Sequence, residues 1–239
     1  MKKLFTLFIA LTVGLISYSQ IVITEISYNG PEAGSDSTEF IELYNKTSSS
    51  INLTGYKFTS GVVYTFPNVS IAANGYLVIA VDSAAIMNVF GVSARQWTSG
   101  GLSNGGEPIA LKDSSGNLID SLRYDDNSPW PGGGTSAGSP DGGGATLVFC
   151  DTSKDNSLGA NWKASTHTVS GKIVNGKQVY GSPGKVDSAC TAGPPPPPSF
   201  PLYPIGTLTT NNSSGVADSN GVKCSIIGVV YGVDMAGTS

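Results

Sequence analysis

Acidic side chains in two glycine-rich stretches are the residues whose types and spacing best suit chemistry. One stretch is GPEAGSDSTE at residues 30–39, and the other follows an apolar run that ends near residue 124. Carboxylates are the ligands that Ca²⁺ prefers, although no twelve-residue loop with EF-hand spacing is present. The sequence leaves two alternatives, solvated acidic loops or a calcium site, for which the candidates are Glu32, Asp36, Glu39, Asp125 and Asp126.

Catalytic chemistry finds less support in the sequence. Asp120 with Asp125 and Asp126 supplies the carboxylates that a glycosidase needs a few ångströms apart, but the pattern predicts a solvated strand end. His167 is the one histidine of the chain, so neither a Ser-His-Asp set nor a His-rich zinc site is supported. We expect no catalytic residues, no nucleotide-binding loop and no bound cofactor.

Aromatic residues offer a second kind of candidate site. Trp130 stands between two prolines in SPWPGGG, where an exposed indole could stack on a sugar or anchor a partner. Packing against the domain is the other interpretation of Trp130. Trp97 and Trp162 are further candidates for a sugar platform, and Trp162 is also expected to anchor a C-terminal extension.

Cysteine usage suits an oxidising compartment. Cys150 and Cys190 are disulfide candidates, although their pairing cannot be derived from the sequence. Cys224 would then be either a buried thiol or the partner of a cysteine beyond residue 239. None of the three has the spacing of a metal site.

Short strands must position all of these residues. In residues 21–45, the runs IVITEISY and FIELYN alternate apolar and polar residues, which predicts strands with one packed face and one solvated face. Similar runs follow, separated by Gly, Asn, Ser and Pro, and about seven such strands are typical of a sandwich or barrel. One short helix is expected after Asp82, ending at Gly91, where it would seal an edge or end of the sandwich.

The ordered runs TEISYN, EFIELYN, LTGYKF, YTFP, GYLVIAVD, LSNGGEPIALKD and NLIDSLRYDD resemble the lamin tail domain. The resemblance implies an all-β, immunoglobulin-like β-sandwich over residues 20–150, with ATLVFCD as its final strand. Secreted bacterial members of the family also carry a similar extension, here residues 151–190, packed on the sandwich. In the wider family the domain binds proteins and chromatin.

The N-terminus has the three parts of a secretory signal peptide. Lys2 and Lys3 precede an apolar run over residues 4–16, and Ser17 and Ser19 suit cleavage before Gln20. The run is shorter than the roughly twenty residues of a membrane anchor, and no later stretch is long and apolar enough to span a bilayer. Residues 1–19 therefore predict export. The resemblance to domains of secreted bacterial proteins suggests a location at the surface or in the surroundings of a Gram-negative bacterium.

The C-terminal part reads as a linker followed by a second module. Residues 191–202 contain GPPPPPS, which predicts an extended polyproline II linker. Residues 203–239 resemble the beginning of an OB-fold module of secreted bacterial proteins. Because the pattern stops before a domain is complete, we expect this second β module to be incomplete.

Charge and the lack of a catalytic pattern set the functional expectation. The chain has 13 basic and 17 acidic residues, a formal charge of −4, which disfavours nucleic acid as a partner. We expect a non-catalytic, exported interaction or scaffold module whose partner is a protein or glycan at the cell surface. One alternative is the accessory front part of a secreted nuclease or phosphoesterase with its catalytic domain beyond residue 239, and another is a carbohydrate-binding module.

Overall fold

The fold is described from a computed structural model, which covers residues 20–132 and 134–191 together with Ser213. The predicted signal peptide, nearly all of the proline-rich linker, the OB-like module and Cys224 lie outside the described residues. Within them, no helix has the length and apolar character needed to cross a membrane.

Short strands dominate the described chain. The strands are β1 (Ile21–Ser27), β2 (Phe40–Asn45), β3 (Ile51–Asn52), β4 (Lys57–Ser60), β5 (Val62–Thr65), β6 (Ser70–Ile71), β7 (Tyr76–Ala80), β8 (Ala94–Gln96), β9 (Ser99–Gly100), β10 (Pro108–Lys112), β11 (Leu118–Arg123), β12 (Leu147–Phe149), β13 (Trp162–Ala164), β14 (Thr168–Val174) and β15 (Lys177–Tyr180). The helical elements are α1 (Ser83–Phe90), α2 (Ser188–Thr191) and a 3₁₀ turn at Gly159–Asn161.

Two sheets form the sandwich. The first has the order β13-β12-β1-β2-β7-β8, and the second has the order β11-β10-β4-β5-β9. All neighbours in both sheets are antiparallel except β7 and β8, which run parallel. Two small pairs, β3-β6 and β14-β15, complete the architecture. The predicted all-β, immunoglobulin-like fold is confirmed.

Alternation holds in the second sheet and fails in the first. Along β5, Val62 and Tyr64 point into the core while Val63 and Thr65 are exposed, as the period of two predicts. In β1, by contrast, all seven residues are buried. The prediction of a solvated outer face for β1 and β2 is therefore wrong, because further elements cover that face.

Helix α1 provides one part of this cover. Asp82 caps its first turn by accepting hydrogen bonds from the backbone of Ala84 and Ala85, and Gly91 ends it with a left-handed φ of 71°. The predicted helix is thus present, and it packs on the outer face of the first sheet next to the edge strand β8. A small apolar cluster joins it to the first sheet: Phe40, Val78, Ala80 and Ile86.

The extension after β12 provides the other part. Its strand β13 pairs with β12 and becomes the sixth strand of the first sheet, so part of the extension belongs to the sandwich itself. Residues 181–187, which we name the closing segment, then pass over the outer face of β1 and β2 before α2 begins.

Asn45, at the end of β2, fixes the chain turns around the first sheet. Its side chain is fully buried, and its Nδ2 donates to the carbonyl oxygens of Ser49, Ile71 and Ala72 at 2.8, 3.1 and 2.9 Å. Its Oδ1 accepts from the backbone nitrogen and the hydroxyl of Thr47. One amide therefore connects the end of β2 to the chain at β6.

Replacing this amide should be costly. Asn45→Ala removes five hydrogen bonds of a fully buried side chain and leaves a cavity, and we expect the free energy of unfolding to fall by about 3 kcal/mol in urea denaturation. Asn52→Ala is the matched control, because Asn52 is exposed and accepts only from Thr54 in its own turn and should cost less than about 1 kcal/mol. Equal losses in the two variants would contradict this role.

Candidate functional site

Two carboxylates face each other beneath the closing segment. Glu25 on β1 pairs directly with Glu42 on β2, and only 1% and 2% of their surfaces are exposed. Side chains directly opposite on antiparallel strands have Cβ atoms about 5 Å apart. The register therefore places two acids side by side inside the protein.

Glu25 receives three hydrogen bonds. Its Oε1 accepts from Thr146 Oγ1 at 2.6 Å and from the backbone nitrogen of Ser182 at 2.9 Å, while its Oε2 accepts from Ser182 Oγ at 3.2 Å. Glu42 receives two, from Thr24 Oγ1 at 2.7 Å and from the backbone nitrogen of Gly184 at 2.6 Å. The closing segment is thus bonded to both acids.

Burial dominates the protonation of this pair. It raises the pKa of Glu25 from 4.5 to about 7, against the lowering effect of the hydrogen bonds from Thr146 and Ser182. Burial, followed by the charge of Glu25, raises the pKa of Glu42 well above its usual value. The two acids therefore titrate as a coupled pair.

A second acidic group lies where the loops after β1 and β9 meet. Glu32 Oε1 accepts from Thr38 Oγ1 at 2.6 Å, and burial together with the charge of Glu32 raises the pKa of Asp36 to about 6. Glu39 is 8% exposed, and its Oε2 accepts from the backbone nitrogen of Leu102 at 2.8 Å. Burial, with a smaller contribution from the neighbouring acids, raises the pKa of Glu39 to about 7, against the lowering effect of the hydrogen bond from Leu102.

Two tyrosines connect this group to a third set of acids. The rings of Tyr28 and Tyr124 lie 4.9 Å apart, and Tyr124 donates its hydroxyl to the carbonyl oxygen of Ser103 at 2.8 Å. Burial raises the pKa of Tyr28, and a smaller contribution comes from three nearby carboxylates: Asp125, Asp126 and Asp141. The hydroxyl of Tyr28 and the Oε2 atom of Glu32 are buried without a hydrogen-bond partner among the described residues. We call the region formed by residues 30–39 together with Glu107, Asp125, Asp126 and Asp141 the acidic loop end.

The calcium candidates therefore gather in one region, but they are not arranged as a site. Asp125 and Asp126 both accept from Asn127, which follows them in the chain. Among the residues that the structure describes, no three His, Cys, Asp or Glu side chains come together as metal ligands. Calcium binding stays a prediction.

Asp120 lies where the sequence did not place it. The prediction of a solvated strand end is wrong for this residue, since its carboxylate accepts from the backbone nitrogen of Ile23 at 2.7 Å and from Asn156 Nδ2 at 2.8 Å. Burial raises its pKa, and the hydrogen bond from Ile23 is the main opposing effect. Asp120 therefore holds β11 against β1 and is not aimed into a cleft with Asp125 or Asp126.

Trp130 is not an open platform. Its side chain is 9% exposed and lies against Trp162, with ring centroids 5.5 Å apart. A Cβ at Gly159 would lie 2.6 Å from the Trp130 ring, so only glycine permits this contact. The interpretation of Trp130 as an exposed ligand contact is wrong, and the sugar-platform interpretation fails equally for Trp97 and Trp162, which are 5% and 3% exposed.

Cys150 and Cys190 form a disulfide, one of the alternatives that the sequence left open. It joins the residue after β12 to α2 and so fixes the far side of the closing segment. The backbone oxygen of His167 accepts from Gly181, and its backbone nitrogen donates to Ser165 Oγ.

Sequence reasoning missed the buried acid pair and Asn45. A signal for the pair did exist, because Glu25 and Glu42 sit inside two strongly apolar runs that were predicted to pair. What the runs could not show is which later segment covers the acids.

Stability should fall as the pH rises from about 5 to 8. The folded-state pKa values of Glu25, Glu39 and Glu42 all lie above that of an unfolded glutamate. Their contribution is therefore complete below about pH 4.5 and is lost as the pH rises through about 7. Calorimetry should show a falling Tm over this interval.

Glu39→Gln should reduce this dependence. The amide oxygen can still accept from Leu102, but the ionisable group is gone, so the fall in Tm between pH 5 and 8 should be smaller than in the parent. Asp151→Asn is the control, because Asp151 is exposed and its pKa is already low, and its Tm profile should keep the parent slope. Parallel profiles for Glu39→Gln and the parent would contradict the assignment.

The disulfide should contribute substantially to stability. It closes a span of 40 residues, and removing such a loop constraint costs about 4 kcal/mol in the chain-entropy treatment. The double variant Cys150→Ser, Cys190→Ser should unfold at a lower urea concentration than the parent. Reductant should bring the parent to the same midpoint and leave the variant unchanged; a midpoint shift in the variant on reduction would contradict this assignment.

Comparison with known proteins identifies one family. The family model described as Lamin Tail Domain matches residues 16–126. No curated protein matches the chain significantly.

Proposed function

Because the chain contains a lamin tail domain, we propose that it is a non-catalytic interaction or scaffold module that works outside the cell. Lamin tail domains are immunoglobulin-like β-sandwiches and are generally non-catalytic. We further propose that it is an exported bacterial module that binds a protein or glycan at the cell surface.

The proposal rests on the structural role of three carboxylates, which accept hydrogen bonds from the backbone. Asp120 accepts from the backbone of Ile23, Glu39 from that of Leu102, and Glu42 from that of Gly184. A catalytic carboxylate must be free to exchange a proton with substrate or to attack it. These carboxylates instead satisfy backbone nitrogens that hold sheets and loops together.

The acidic loop end is the surface that we assign to the partner. Glu32, Asp36, Glu107, Asp125, Asp126 and Asp141 are partly exposed there, and none has an ion pair within the described residues. A loop surface on which charge of one sign predominates favours a partner of the opposite charge. This favours a protein with basic side chains over a neutral glycan, and it also disfavours nucleic acid.

Export is supported by two features. Residues 1–19 have the pattern of a signal peptide, and the Cys150–Cys190 disulfide suits an oxidising compartment. A Gram-negative envelope or its surroundings is the location we propose.

Photocrosslinking tests the interaction surface. A photoreactive amino acid at Ser35, on the acidic loop end, should give crosslinks to proteins of the cell surface when the full chain is produced in its own host. The same group at Thr65, exposed on the outer face of the second sheet, is the matched control and should give few. Equal crosslinking at both positions, or none, would contradict the surface assignment.

Two further measurements separate this proposal from its alternatives. N-terminal sequencing of the protein recovered outside the cytoplasm should begin at Gln20, and deletion of residues 2–19 should retain the chain inside. The purified chain should not hydrolyse phosphodiesters or glycosides. Hydrolysis that disappears in Asp125→Asn or Asp126→Asn would show an enzyme instead.

A further inference from the structure

The closing segment is held between two fixed points. At its start, Tyr180 donates its backbone nitrogen to Gly144, and Gly181, the first residue of the segment, donates to His167. After it, the disulfide at Cys190 ties the chain to the end of β12. The segment can therefore move away from the first sheet without the chain on either side losing its place.

Between these points, hydrogen bonds to Glu25 and Glu42 keep the closing segment on the first sheet. Ser182 donates both its backbone nitrogen and its hydroxyl to Glu25, and Gly184 donates its backbone nitrogen to Glu42. Ser182 is 1% exposed, whereas Gly184 and the residues just after it are exposed. Docking thus buries two carboxylates under a thin cover of backbone.

Other charged and titratable groups face the pair from each neighbouring element. On the closing segment they are Asp187, which acts on Glu25, and Lys185; on β2 and β7 they are Tyr44 and Tyr76. Lys185 lines the same cavity of about 160 Å³ as the acids, but its side chain makes no ion pair with them. The carboxylate of Asp187 accepts hydrogen bonds from the hydroxyl of Ser165 and from the backbone nitrogens of Thr166 and Ala189. Among the described residues, a second negative charge at the pair therefore has no cation in an ion pair with it.

The two acids differ in how well their surroundings stabilise a negative charge. Glu25, with three donors, is the better site for the negative charge, and Glu42, with two, is the better site for the proton. A protonated Glu42 can donate to Thr24, whose hydroxyl is able to accept as well as donate. The docked state therefore suits one charge and one proton.

We propose that Glu25 and Glu42 form a proton-operated latch, in which one shared proton keeps the closing segment docked and loss of that proton to solvent releases it. In the released state, water reaches both carboxylates and screens their repulsion. The two sheets and the disulfide remain intact, so the motion is confined to residues 182–186, between the anchored Gly181 and Asp187. Release uncovers the part of the first sheet between Tyr44, Tyr76 and the acid pair.

Hydrogen exchange measured by mass spectrometry or NMR tests the latch on the full chain with its disulfide intact. After correction for the intrinsic pH dependence of exchange, protection of the Ser182 and Gly184 amides should fall by about tenfold to a hundredfold between pH 5.5 and 8. Protection of Leu43 in β2 should change much less, because the sheet does not open.

Glu42→Gln removes the second charge while keeping the contacts. Its amide oxygen can accept from Gly184, and its amide nitrogen can donate to Thr24. In this variant, the fall in protection of the closing segment between pH 5.5 and 8 should be clearly smaller than in the parent, because only Glu25 is left to titrate. Asp151→Asn, a change of an exposed acid, should behave as the parent does.

Two outcomes would overturn the latch. One is parent protection at residues 182 and 184 that does not depend on pH, and the other is the same dependence in Glu42→Gln. If Glu42→Gln fails to fold, carboxyl ¹³C shifts of the parent decide the matter. Titration of either glutamate near neutral pH, together with opening, supports the latch, and titration of both below about pH 5 excludes it.

Discussion

Burial of the first sheet on both faces is the constraint on which the rest of this structure depends. One face packs on the second sheet, and the other is covered by α1 and the closing segment. A strand in that position cannot point a polar group at water, so each buried carboxylate must find donors within the protein. Glu25 and Glu42 find them in threonine hydroxyls and in the backbone of the closing segment.

This constraint also sets where the folded unit ends. The family match stops at residue 126, yet β12 and β13 lie beyond it, and β12 is hydrogen-bonded directly to β1. Without the chain after residue 126, β1 would have an open edge and Glu25 would lose all three of its donors. The extension is therefore part of the sandwich's own hydrogen bonding, and the disulfide at Cys190 secures it.

The sequence predicted the features that depend on local pattern and missed those that depend on distant packing. Alternation and turn residues were sufficient for the strand runs and the sandwich, and the capping residue Asp82 with Gly91 was sufficient for α1. The same alternation gave a wrong prediction for β1, because the sequence of a strand does not show whether one or both of its faces are covered. For the candidate sites, the sequence singled out the loop acids in two separate stretches, but it could not show that these stretches meet, that Asp120 turns inward or that Trp130 rests on Gly159.

The ends of the two sheets bear on how this protein behaves among many copies of itself. The outermost strands β8, β9 and β13 have only two or three residues, and the remaining one, β11, carries the inward-turned Asp120 and a bulge opposite Leu111 and Lys112. Short borders, bulges and inward charges all hinder the addition of a strand from another molecule. A fold rich in exposed strands is thereby guarded against joining edge to edge into aggregates.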